Sequence, residues 1–178
     1  MIWKILFLLL LFFGNSVYAA VYELDKERSK LTYTLTEFGI PFKRKPLPAT
    51  GKIYSDKNIV NNKHYLQGIN LKVRFLSKNF LFRRVIDFDK YPYLLFSAKF
   101  EKPIAVNDSA FVNLDGYLTF HGVTKRVNVK LRCKLNNSLI SLTGFLNIKM
   151  TDFGIKPPRI LFIPVDNVIK TKIELLSN

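Results

Sequence analysis

The stretch GYLTFHGVTKRVNVKL, Gly116 to Leu131, decides how the chain folds. Leu118 and Phe120 alternate with Tyr117 and Thr119, and Val127, Val129 and Leu131 alternate with Asn128 and Lys130. Alternation of apolar and polar residues marks a strand with one buried and one wet face. His121-Gly122 stands between the two runs, and a two-residue hairpin loop needs positive φ, which Gly122 is expected to supply. Two other readings of the stretch fail. The spacing of Gly116 and Gly122 matches neither a P-loop nor a dinucleotide fingerprint, and no helical period follows it. A histidine-centred active site lacks support, as set out below. The stretch is a β-hairpin.

The same period runs outward along the chain. Leu31, Tyr33 and Leu35 alternate with threonines, and Ile69, Leu71, Val73 and Phe75 alternate with Asn70, Lys72 and Arg74. Leu142, Leu146, Ile148 and Met150 alternate with Thr143, Phe145 and Lys149. Turn signals separate the runs: Pro46-Leu47-Pro48, Asn61-Asn62-Lys63, Asn107-Asp108-Ser109, Asn136-Asn137-Ser138 and Pro157-Pro158. The one candidate helix is a short one over residues 78–89, ahead of Pro92. About eight strands at hairpin spacing imply an all-β, antiparallel sheet, and closure into a barrel removes its edges. No linker, repeat or composition break divides the run, so residues 20–178 are expected to form one domain.

The first nineteen residues read differently. Lys4 gives a positive start, Ile5 to Phe13 form an apolar run, and Val17-Tyr18-Ala19 ends in a small residue. This is the tripartite pattern of a secretory signal, expected to be cleaved after Ala19. The apolar run is about half the ~20 residues that a spanning helix requires. The expected address is periplasmic.

Composition narrows the partners. The net charge of +15 favours anionic surfaces such as a membrane or a phosphate. An exported chain is not expected to meet nucleic acid, and the bases are spread along the sequence as a solubilising coat would be. Cys133 is the single cysteine and falls on the apolar parity of Val129-Leu131-Cys133-Leu135, so it reads as a buried small hydrophobe. Of the sixteen phenylalanines and eight tyrosines, all but Phe7, Phe12, Phe13 and Tyr18 lie beyond the signal-like segment, and these twenty supply bulk for the inner faces. Patterning alone does not separate a packed core from a barrel that holds one ligand.

Catalytic and metal chemistry find no foothold. His121 and His64 belong to no spaced ligand set of the zinc type. His121 reads as a solvated turn residue. Ser97, His121 and Asp115 could be assembled on paper into a triad, yet no nucleophile-elbow pattern accompanies them. No enzyme, metal or cofactor is expected.

Taken in order, several segments resemble the YceI-like family, exported lipocalin-like barrels associated with polyisoprenoid lipids. They are Tyr22-Glu23-Leu24-Asp25, Ser29-Lys30-Leu31-Thr32-Tyr33, Ile69-Asn70-Leu71-Lys72-Val73, Asp87-Phe88-Asp89-Lys90-Tyr91-Pro92 and Phe96-Ser97-Ala98. The hairpin Gly116 to Lys125 is the strongest, and Thr151-Asp152-Phe153-Gly154-Ile155 and Asp166-Asn167-Val168-Ile169 complete the set. Three places depart: Glu37-Phe38-Gly39 stands where the family usually has a histidine, residues 40–48 carry unexpected prolines and bases, and Met150-Thr151 replaces a frequent arginine.

The resemblance implies an eight-stranded lipocalin-like barrel whose apolar tube takes a long isoprenoid chain such as a quinone or polyprenyl phosphate. The lining residues it implies are Leu31, Tyr33, Leu35, Leu71, Val73, Phe75, Phe96, Leu118, Phe120, Val129, Leu131, Leu146 and Ile148. A lipid phosphate would want cations at the mouth, and Arg83, Arg84, Lys43 and Arg44 are the candidates. The partners expected are therefore a long-chain isoprenoid lipid and an anionic membrane surface, and a homodimer stays open. The rival reading is a solid-cored basic module that acts on anionic membranes or envelope polymers.

Overall fold

The computed structural model describes residues 17–37, 39–58, 63–75, 83, 86–106, 109–136, 139–160 and 162–178. The signal-like segment therefore lies mostly outside the described residues. So do Asn61, Asn62, Asn107, Asp108 and most of the candidate helix. Of that helix, Arg83 and Ile86 are helical and a turn spans 87–90.

Twelve strands are described: β1 Val17–Glu23, β2 Lys30–Glu37, β3 Ile40–Lys43, β4 Leu47–Asn58, β5 Lys63–Arg74 and β6 Tyr93–Val106. Then follow β7 Ser109–Phe120, β8 Val123–Asn136, β9 Leu139–Lys149, β10 Arg159–Ile160, β11 Ile163–Pro164 and β12 Val168–Leu176. A 3-10 turn, Met150–Phe153, follows β9. Strands β4 to β9 pair in sequence order, β12 joins β9 to β2, and β2 returns to β4 through Lys30–Pro48 and Leu31–Leu47. The result is a closed, antiparallel, eight-stranded barrel. Strand β1 lies along β4 and β3 along β2, while β10 and β11 form a separate small hairpin.

β1 and β2 are two halves of one long N-terminal strand, because both run antiparallel to the β3–β4 arm. The break between them is an Asx turn in which Asp25 accepts bonds from the backbone N–H of Glu27 and Arg28. The Arg28 guanidinium beside Asp25 holds its carboxyl below the usual carboxylate range. Ser29 then stitches the seam where the two ends of the chain meet. Its hydroxyl donates to Leu176 O at 3.1 Å and accepts from Leu176 N–H at 3.0 Å.

The opening hairpin forms with Phe120 paired to Val123 across His121-Gly122. Both loop residues have positive φ, 51° and 74°, as a type I′ turn requires. Pro46-Leu47-Pro48 is less of a turn than its composition indicates. Leu47 is buried and Pro48 exposed, so both already follow the alternation of β4, and the break falls at 44–46. Pro48 is tolerated there because it sits at the end of a ladder.

Inward residues from every strand of the barrel form one continuous core. Cys133 belongs to it with no exposed surface, and burial pushes its thiol up to about 12. Native protein at pH 8 should therefore not react with a thiol reagent, while denatured protein should take up one equivalent. The sign for stability follows. The unfolded thiol ionises near ~8.5 and the folded one does not, so stability falls as pH rises from there toward the folded value. Urea titrations between pH 8 and 11 should show that limb, and Cys133→Ala should flatten it.

Candidate functional site

The centre of the barrel holds a small void of about 20 Å³. Eleven residues line it, all apolar: Leu31, Ile69, Leu71, Leu94, Phe96, Leu118, Val129, Leu131, Leu146, Ile173 and Leu175. A space of that size holds about one water molecule, far short of the roughly 300–1,000 Å³ of a ligand pocket. In this form the interior is packed core with a flaw in the middle, not an open tube.

The structure sorts the expected lining residues into two groups. Leu31, Leu71, Phe96, Leu118, Val129, Leu131 and Leu146 surround the void. Tyr33, Leu35, Val73, Phe75, Phe120 and Ile148 are buried without touching it. Ile69, already on the inward parity of its strand, lines it too, and so do Leu94, Ile173 and Leu175, which were not singled out. The alternation of Ile173 and Leu175 with Lys172 and Glu174 is the signal that identifies two of them.

Several of the buried residues form a stack of rings at the barrel end where β7 turns into β8. Phe75 lies 5.3 Å from both Phe88 and Phe120 and 5.6 Å from Tyr33, and Phe120 meets Phe153 edge-on at 5.8 Å. Such pairs add about 0.5–1.5 kcal/mol beyond their burial. Over this stack, His121 does more than occupy a turn. Its Nδ1 is 3.1 Å from Phe153 O, and Tyr91 packs on its ring at 4.7 Å. Gly122 leaves room for that tyrosine, since a Cβ would stand 2.5 Å from Tyr91 Cε1. The segments around Phe88 and Tyr91, His121 and Phe153 thus converge on one feature. They plug the barrel.

The candidate headgroup cations behave differently from one another. Arg83 is exposed and donates to Asp89 at 2.6 Å, which holds the Asp89 carboxyl below its ordinary range. Arg44 pairs with Glu37 and lies over the Phe42 ring at 5.8 Å. Lys43 is exposed on β3, and Arg84 lies outside the described residues. None of the three described cations lines the void. The Glu37–Arg44 pair also joins two of the departures noted in sequence: the unusual acid at the end of β2 is met by a base from the unusual basic segment.

The paper triad does not assemble. Ser97 donates to Asn70 Oδ1 at 2.8 Å, Asp115 accepts from Asn128 at 2.9 Å, and His121 is engaged with Phe153. Among the described residues no three His, Cys, Asp or Glu side chains are grouped as a metal site would need.

One irregularity of the wall bears on the void. The β8–β9 ladder covers only 131–136 against 139–144, ending at Leu131–Gly144. Beyond it, residues 123–130 stay paired to β7, and 145–149 stay paired to β12. The paired ladder ends there, and the β6–β7 ladder is shorter still, three rungs from Leu95–Thr119 to Ser97–Tyr117. Val127 and Leu146 point inward by alternation yet are only partly buried.

Comparison with known sequences and structures fits this architecture. The YceI-like domain profile matches residues 22–176. The chain belongs to the YceI-like family. Among solved structures, BcnA of Burkholderia cenocepacia superposes with a TM-score of 0.61 at 16% identity, covering 87% of this chain and 99% of that one. A polyisoprenoid binding domain from Saccharophagus degradans, implicated in plant cell wall breakdown, gives 0.62 at 13% identity, covering 88% and 97%. No curated protein sequence gives a significant match. At such identities the YceI-like likeness is one of fold.

Proposed function

We propose that this YceI-like protein is an exported, non-enzymatic carrier that holds an isoprenoid-type lipid, a quinone or polyprenyl phosphate, inside the barrel. The observation that carries the reading is the wholly apolar lining of the void, on a scaffold shared with a polyisoprenoid binding domain. Lipid would take the place of side-chain packing around the void, so loading requires the aromatic plug or one of the short ladders, β6–β7 or β8–β9, to yield. Export rests on the sequence of the first nineteen residues. Cleavage after Ala19 would spare the rungs from Ala20–Ser55 to Glu23–Lys52, so β1 would survive it.

The small size of the void favours a second reading, a basic module acting on anionic membranes or envelope polymers with its exterior. Organic extraction of protein purified from its native compartment, followed by mass spectrometry, separates the two. The carrier is expected to yield an isoprenoid lipid in near-stoichiometric amount. Repeated preparations without lipid would remove the carrier reading and leave the second.

A further inference from the structure

Two phenylalanines stand out on the outer wall. Phe111 on β7 is 68% exposed and Phe145 on β9 is 71% exposed, although neither carries a polar atom that would gain from water. The register places them close together. Phe111 pairs with Arg132, Arg132 with Thr143, and Phe145 follows two residues on, opposite Lys172. Two strand spacings and a two-residue offset separate them, about 12 Å. Lys130 reaches over the Phe111 ring at 5.1 Å, and a shallow groove lined by Lys130, Arg132 and Lys172 joins the two rings. The one carboxylate in that groove, Glu174, is taken by Lys172 at 2.9 Å.

Charge by itself does not choose this face. Strands β7, β8, β9 and β12 carry eight Lys and Arg against Asp115 and Glu174, but β4, β5 and β6 are nearly as basic. The two exposed phenylalanines choose it. Lys130 and Phe145 are the first residues beyond the last β8–β9 rung, and Val129, Leu131 and Leu146 beside them line the void. A second groove, lined by Lys52, Lys72, Leu95 and Tyr117, also reaches the void-lining Leu71 and Phe96, so the two exposed phenylalanines are what single out this face.

Resting on the carrier reading above, we infer that this face docks on an anionic lipid bilayer, with Phe111 and Phe145 set among the headgroups and the end of the β8–β9 ladder turned toward the membrane. Apolar rings ringed by bases suit such a surface, which offers negative headgroups over hydrocarbon. A second copy of the chain would bring like charges together. A polynucleotide would match the bases but has nothing to pass to an apolar interior.

Vesicle co-sedimentation of the full chain tests the inference, with phosphatidylcholine vesicles compared to vesicles containing phosphatidylglycerol. Binding is expected only to the anionic vesicles and should fall away at high salt. Phe111→Ser with Phe145→Ser, and separately Lys130→Ser with Arg132→Ser, should each weaken it by about tenfold or more. The charge-matched pair Lys52→Ser with Lys72→Ser, on the opposite wall, should change it by no more than about twofold if that wall stays away from the headgroups. All these sites are exposed, and unchanged thermal melting would show that folding is intact. Failure of the unmodified protein to bind anionic vesicles, or equal losses from the two charge-matched pairs, would overturn the face. Lipid extraction on the same preparations keeps the two ideas apart. Protein that carries lipid but ignores vesicles retains only the carrier reading, whereas protein that binds vesicles without lipid retains only the face.

Discussion

Alanine in place of Phe120 should lower the unfolding free energy by about 3–5 kcal/mol. The ring has no exposed surface and is held between Phe75 and Phe153 at 5.3 and 5.8 Å. It also sits on the last rung before the hairpin turn, where β7 and β8 are fixed to each other and cannot collapse into the space. A cavity left there stays open, and the cost of a truncation rises with the cavity that remains. Urea denaturation measures the loss directly. Thermal unfolding should follow with a fall of at least about 6 °C at this chain length. Phe120→Leu should recover much of the difference. A loss below about 1 kcal/mol would mean that the ring stack is loose and does not plug the barrel.

Gly51→Ala is the second large effect, with a different cause. Gly51 has φ +152°, and a Cβ there would lie 2.0 Å from Asn70 O and 2.9 Å from Asn70 C. Both are backbone atoms of the neighbouring strand, so no rotamer change relieves the collision. The β4–β5 ladder would have to separate at the Gly51–Leu71 rung, and Leu24 N–H, which donates to Gly51 O at 2.9 Å, would lose its place. Backbone strain and overpacking each cost about 1–3 kcal/mol, so a total of about 3 kcal/mol or more is expected, with reduced soluble yield. Gly39 is the natural comparison. Its φ is +75° but nothing lies within 4 Å of a Cβ, so alanine there meets conformational strain alone. Equal losses at the two positions would show that the approach of Asn70 is not what Gly51 serves.

The sequence made the barrel legible because alternation reports which face of a strand is buried, and the YceI-like motifs arrive in chain order. It also located the hairpin turn, since the His121-Gly122 pair between alternating runs has few alternatives. What escaped it depends on distance between chain segments. Tyr91, His121 and Phe153 look like separate motifs, and only folding brings them onto one plug. The end of the β8–β9 ladder leaves no mark, because both strands keep alternating past the last rung. Whether the interior is hollow was equally hidden: Leu31, Leu71 and Leu118 would read the same lining a tube or filling one.

The seam at Ser29 and Leu176 sets the order of events in folding. β12 is the stave between β9 and β2, so the barrel cannot close until residues 168–176 are available. Contacts this distant in sequence put folding in the range of roughly milliseconds to seconds. Until then β2 and β9 present open edges, and a chain interrupted before residue 168 has no way to cover them. Synthesis of β12 is thus the step that commits the protein to a closed shape.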